Sequence, residues 1–225
     1  MRLLIRSRII ISCRAVLNQR HGTRFFATET SSSSESFFKL FPRTFPNGGP
    51  PRDPFKINDK SLRREYRALQ SSHHPDISQD TLKSSNINKA FTTLKNPYLR
   101  LAHLIQNLHG KDITNDSVSK EMIRKYQTER TENSAQYKEM LMQVMEAHEQ
   151  LELAELENEL EGLEAENSER IEQAEEKIDK ELSKKNVDDI NWDELIMDAI
   201  KLKYWVNIQN GIKDWEPGKP VHLTH

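Results

Sequence analysis

The segment from Asn191 to Ile208 most constrains what this chain can become. Trp192, Leu195, Ile196, Ala199, Ile200, Leu202, Tyr204, Trp205 and Ile208 recur at helical spacing. Asn191 is placed to cap that helix, and Glu194 to complete a capping box. A stripe this rich cannot be left bare in water, so the helix requires partner helices. The rest of the chain offers little but helices. It has 7 glycines in 225 residues, and five of its 9 prolines fall between Pro42 and Pro54.

The preceding segment is the natural partner. From Met140 onward, apolar positions run Leu141, Val144, Met145, His148, Leu151, Leu156, Leu160, Leu163, Ile171, Ala174, Ile178 and Leu182. Between Glu146 and Glu181 lie fifteen acidic residues and three basic ones. That much like charge does not favour a lone helix. Two arrangements compete, a projecting coiled coil and an antiparallel bundle folded back on itself. The apolar final helix decides for the bundle. Its first two helices are expected to break near 153–158, with the first starting at Asp116, Ser117 or Ser119.

The N-terminal half reads as a helical hairpin. Phe37, Phe38, Leu40 and Phe41 form a short apolar helix, followed by the breaker-rich loop. Asn58 or Asp59 caps a helix reaching about His73, with Lys60, Arg63, Arg64 and Arg67 on one face and Leu62, Tyr66 and Leu69 on the other. A helix from about Thr81 to Lys95 carries Ile87, Ala90, Phe91 and Leu94. Pro97 opens another short helix and Gly110 ends it. The turn of the hairpin holds His74-Pro75-Asp76. Pro75 keeps His74 out of helical geometry, so the loop presents an imidazole and a carboxylate beside the basic face.

The first 28 residues contain Arg2, Arg6, Arg8, Arg14, Arg20 and Arg24, with no Asp, Glu or Lys, among alternating apolar residues. This is the pattern of a mitochondrial transit peptide, with residues 29–36 a disordered lead-in. Removing those six arginines from the 33 basic residues leaves 27 against 35 acidic ones, a charge of −8. Such a chain does not suit nucleic acid, since no aromatic residues interleave with the arginines of the hairpin. No apolar run approaches a membrane span, so no membrane partner is expected. Cys13, the one cysteine, lies in the transit segment, leaving no thiol for a disulfide, a nucleophile or a cluster ligand. His73, His103, His109 and His148 have no companions at ligand spacing and read as surface or packing residues. No catalytic residue, metal or cofactor is expected. A hydrolase built on a His–Asp pair fails for want of an activated nucleophile.

An HPD loop between a basic amphipathic helix and an apolar one resembles a J-domain. The remainder is more specific. FFKLFPRTFP (37–46), LRREYRALQSSHHPD (62–76), INKAFTTLKNP (87–97), MLMQVMEAHEQL (140–151), ERI (169–171) and LKYWVNIQNGIKDWEPGK (202–219) together resemble the HscB-type, or Jac-type, co-chaperones of iron–sulfur cluster biogenesis. The resemblance implies an all-α fold. A J-domain hairpin (37–110) would be followed by a C-terminal antiparallel three-helix bundle within a scaffold-binding domain (111–225). It also implies a non-enzymatic adaptor of the mitochondrial matrix. Its partners would be an IscU-type iron–sulfur cluster scaffold and a mitochondrial DnaK-type chaperone of the heat-shock seventy class. His74, Pro75 and Asp76 would trigger ATP hydrolysis by that chaperone, and Lys60, Arg63, Arg64 and Arg67 would dock on it. Leu141, Met145 and Tyr204 match the family's apolar scaffold contacts, flanked by Met140, Gln143, Glu146 and Gln150. Periodicity alone reads the apolar three as bundle core. Two departures stand out: Met replaces Leu at 140 and 145 relative to a common fungal pattern, and the cysteine-based metal module of some animal relatives is absent. The competing function is a structural coiled-coil tether with an accessory J-domain, acting in general mitochondrial folding or import.

Overall fold

The computed structural model describes residues 36–72, 81–129, 131–183 and 186–219. Among them stand seven α-helices and no strand: α1 (Asp59–Ser72), α2 (Thr81–Lys95), α3 (Pro97–His109), α4 (Asp116–Glu129), α5 (Thr131–Leu153), α6 (Glu161–Leu182) and α7 (Trp192–Lys213). This is the expected helical hairpin followed by a helical bundle. The transit segment, residues 29–35 of the lead-in and the tripeptide His74-Pro75-Asp76, with His73, lie outside the described residues.

Local chemistry sets the helix ends. The Asn58 side chain accepts from the Lys60 and Ser61 amides at the start of α1. Asn96 accepts from the Leu99 amide, Pro97 stands at the first helical position, and Gly110 closes α3 with a φ of 76°. The expected first bundle helix starts at Asp116, where Asn115 accepts from the Ser117 amide, and its described residues are α4, to Glu129, and α5, from Thr131. The expected break after it runs from Ala154 to Leu160, where the Glu159 carboxylate accepts from the Glu155 and Leu156 amides. At Asn191 the cap differs from expectation. Its side chain accepts from the Glu194 amide, but its own amide donates to Glu181 of α6, not to Glu194.

The hairpin closes on Tyr66, which stacks on Phe91 with ring centres 4.0 Å apart and donates to Asn88 at 2.8 Å. Beneath it lies the loop that sequence reading left as connection. Asp53 is buried and accepts from the Asn47 and Gly49 amides. Gly49, at φ 102°, passes so close to the Phe38 ring that a Cβ would overlap it. Phe38, Phe41, Phe45 and Phe55 are all fully buried as a result. Buried Glu65 ties this loop to α1 by accepting from the Arg43 and Thr44 amides and the Thr44 hydroxyl.

α7 is the centre of the molecule. It packs against α3, α4, α5 and α6, which explains why its apolar residues are spread around the helix. Lys177 of α6 pairs with Asp198 at 2.8 Å and Glu194 at 3.3 Å, while Asn167 donates to the Trp205 carbonyl. From α3, His109 stacks on Trp192. The hairpin and bundle share one buried cluster from Phe38 to Ile208.

A set of polar contacts pins the hairpin to the acidic helix. Arg100 of α3 is fully buried, stacks over the Phe55 ring at 4.6 Å, donates to the Leu94 carbonyl at 2.7 Å and pairs with Glu175 of α6. The Phe55 and Lys56 amides donate to Asp179, and Lys56 Nζ pairs with Glu172 and Glu176. Burial pushes the Glu175 carboxyl above its ordinary range, opposed by the Arg100 charge. Removing the cation alone strands that carboxylate. Arg100→Leu is expected to cost about 3–5 kcal/mol in denaturant unfolding, and Arg100→Leu with Glu175→Leu to recover most of it.

His103 supplies a pH dependence. Its Nε2 accepts from the Phe37 amide at 3.0 Å and its ring stacks on Phe37, so the folded state holds it neutral. Burial, aided by the Lys89 charge, pushes it down from 6.5 to about 4. Between those values the unfolded chain binds the extra proton. Stability from this group is therefore full above pH 6.5 and is lost as pH falls to about 4. The loss is up to ~3 kcal/mol. Melting curves from pH 7 to 4 are expected to fall more steeply for wild type than for His103→Gln, whose amide stays neutral.

Candidate partner-binding surfaces

Two surfaces carry the residues singled out from the sequence. On α1, Lys60, Arg63, Arg64 and Arg67 are exposed along one face, with Arg63 lying 4.0 Å from Asp59 one turn earlier. The opposite face is buried at Leu62, with Tyr66 and Leu69 half-buried against the core.

The second surface is on α5 and α7. Tyr137, Ala147 and Leu151 turn into the core, and Trp215 donates its indole N–H to the Leu151 carbonyl. Leu141 and Val144 are half-buried at its edge. Met145 is 72% exposed and Met142 is 71% exposed, two of the few large apolar side chains left in water among the described residues. Glu146 and Gln150 are exposed, and Gln143 is half-buried. Tyr204 is half-buried, with its hydroxyl 3.5 Å from that of Tyr137. Burial, then this contact, raises the Tyr137 phenol above its ordinary range. The neighbouring Trp205 faces inward under the Arg170 guanidinium. The adjacent pair thus splits between core and surface.

The structure joins Tyr204 to α5 through Tyr137, leaves Leu141 half-buried and Met145 exposed on that helix, and treats the flanking residues unequally. Met140 is only 6% exposed and belongs to the core. Met142 was missed by sequence reading. Its signal was its position three residues before Met145, one face of a helix. Leu153, 70% exposed, continues that face at the end of α5. Among the histidines, His103 and His109 pack against aromatic rings, and His148 lies 3.7 Å from Glu152. No group of acidic, histidine or cysteine residues suited to a metal occurs among the described residues, and no described helix is long and apolar enough to cross a membrane.

Comparison with known proteins agrees with this architecture. Residues 136–213 match the family described as the HSCB C-terminal oligomerisation domain. The mitochondrial J-type co-chaperone JAC1 of Saccharomyces cerevisiae is 31% identical over 193 residues, 85% of this chain and 95% of its own length. The mitochondrial J-type co-chaperone jac1 of Schizosaccharomyces pombe is 26% identical over 213 residues, 88% of this chain and 80% of its own length. Among solved structures, the Jac1 co-chaperone from Saccharomyces cerevisiae superposes with a TM-score of 0.58 at 29% identity, over 84% of this chain and 98% of that one. The chain belongs to the HscB/Jac family, the J-type co-chaperones of iron–sulfur cluster biogenesis. The all-α fold and the family read from the motifs are both borne out.

Burial separates contact from core on α5. Truncating the exposed pair, Met142→Ala with Met145→Ala, is expected to change stability by no more than about 0.5 kcal/mol per site. Met140→Ala is expected to cost about 2–5 kcal/mol through the cavity it leaves. Urea unfolding of the two variants distinguishes them.

Proposed function

We propose that this protein is a two-handed adaptor of the mitochondrial matrix. It binds an IscU-type iron–sulfur cluster scaffold, delivers it to a DnaK-type chaperone and stimulates that chaperone's ATPase, favouring cluster transfer to acceptor proteins. The observation that carries the reading is a pairing of surfaces on one packed frame. One is an exposed basic helix, α1, followed in sequence by His74-Pro75-Asp76. The other is an exposed apolar patch on a bundle of the HscB type. Residues 1–28 act as the transit peptide, residues 37–110 as the J-domain and residues 111–225 as the scaffold-binding domain.

The chaperone side works by charge and by the loop. Lys60, Arg63, Arg64 and Arg67 dock on an acidic surface, and His74, Pro75 and Asp76 trigger hydrolysis. The scaffold side works by burial. Leu141, Met145 and Tyr204 are its apolar anchors, a residue mix suited to an adaptable interface. Gln143, Glu146 and Gln150 rim it, and Met140 supports it from below. The protein has no active site of its own in this reading; the chemistry is the chaperone's. The tether alternative would project α5 and α6 as a rod. Both helices instead pack against α7, so the bundle reading is preferred.

Reciprocal variants test it. His74→Gln is expected to abolish stimulation of single-turnover ATP hydrolysis by the chaperone while scaffold affinity in titration calorimetry stays unchanged. Leu141→Ala, Met145→Ala and Tyr204→Ala combined are expected to weaken scaffold binding at least a hundredfold, at ~2 kcal/mol or more for each hot spot, and to leave stimulation without scaffold intact. Circular dichroism melting of the triple variant guards against unfolding, since Leu141 and Tyr204 also touch the core. A His74→Gln protein that stimulates like wild type would refute the J-domain assignment.

A further inference from the structure

We infer that the scaffold-binding surface does not end at Tyr204. It continues into a groove between α4 and α7, where the scaffold inserts an apolar side chain that neighbours an acidic residue. The inference rests on the reading of Tyr204 as a scaffold contact. The groove encloses about 220 Å³, room for a large side chain rather than a helix. Its apolar lining comes from Ile123 of α4 and Ile200 of α7, and Tyr204 forms part of its wall. Because the hydroxyl of Tyr204 also meets Tyr137 on α5, one phenol borders both the groove and the helix that carries Met142 and Met145. A partner covering Tyr204 from the α5 side therefore also covers one wall of the groove. Residues 136–213 match the family description, so α4, at Asp116–Glu129, is supplied from outside that span.

Charge fixes the chemistry of the occupant. Lys120 and Lys203 stand on the rim. Asp116, also on the rim, lies 3.8 Å from Lys203, and Lys120 is exposed. Lys201, next to Ile200 in the chain, lies over the Tyr126 ring of α4. The other end of the surface is acidic, with Glu146, Glu149 and Glu152 exposed along α5. A surface basic at one end and acidic at the other holds a partner in one orientation, since the reversed pose sets like charges together. The scaffold would thus place acidic residues over the groove and basic ones over α5. An apolar pocket beside an aromatic residue is where interface energy concentrates.

Two variants address the groove without touching the α5 patch. Lys120→Glu reverses the exposed rim charge, and Ile123→Trp fills the groove. Titration calorimetry with purified IscU-type scaffold is expected to show each binding at least about fivefold more weakly than the full-length wild-type protein. Stimulation of the chaperone without scaffold is expected to stay at the wild-type level. Lys120→Glu decides the question alone if Ile123→Trp fails to fold. Wild-type affinity in the folded variants, with wild type itself binding, overturns the groove and leaves the proposed function standing. Failure of wild type to bind scaffold removes both. If light scattering shows a dimer that Lys120→Glu dissociates while scaffold affinity is unchanged, the groove holds a second copy of this chain and the inference is wrong.

Discussion

The buried guanidinium of Arg100 sets the relation between the two halves of this molecule. It is held on four sides at once: by the end of α2 through Leu94, by the loop through Phe55, by α6 through Glu175 and by its own helix. Burial works against both charges, lowering Arg100 and raising Glu175 from their ordinary values. A pair with those opposing costs contributes little net stability compared with apolar residues of the same volume. What it contributes is geometry. A planar donor fork accepts few arrangements of its acceptors, so α2, α3 and α6 meet in one register. The Phe55 and Lys56 amides on Asp179 repeat the constraint one turn along α6.

The same contacts answer the difficulty that the acidic segment poses. Fifteen acidic residues against three basic ones would repel one another along an isolated helix pair. The fold supplies the missing donors from elsewhere in sequence. Glu172 and Glu176 receive Lys56, Glu175 receives Arg100, Asp179 receives two backbone amides, and Glu181 receives the Asn191 amide. The exposed pairs with Lys56 add little to stability, since solvent screens them. The backbone donors are different, because Phe55 is fully buried and an amide there needs a partner within the protein.

Helices and their ends were legible because their signals are local. Asn96-Pro97 and Gly110 bracket α3 as any capped helix is bracketed, and periodicity gave the inward face of α1 at Leu62. What escaped was whatever depends on a distant partner. Glu65 and Arg100 are charged residues on helices, and nothing in their own neighbourhoods marks them as buried. Their acceptors and donors lie 22 and 75 positions away. Phe45 and Phe55 sat among prolines and glycines and read as loop, though Asp53 organises that loop into part of the core. The candidate site divides the same way. Helical spacing placed Leu141 and Met145 together, but spacing cannot say which side of a crowded helix faces water. Met140, expected to flank the contacts, went into the core, and Met142, to which the pattern gave no role, was left exposed.

α7 links these observations to function. Its Trp192 end stacks on His109 of the hairpin, its middle presents Tyr204 beside α5, and Trp205 locks the same turn onto α6 through Asn167 and Arg170. A helix held on all sides cannot shift at Tyr204 without disturbing Trp205 and the α6 contacts that also hold the hairpin, because packed interiors rearrange in discrete steps rather than by continuous yielding. The proposed scaffold surface and the proposed chaperone surface are thus parts of one frame. An adaptor built this way does not need a message to travel between its hands. A fixed spacing is enough, since holding one partner sets where the other meets it.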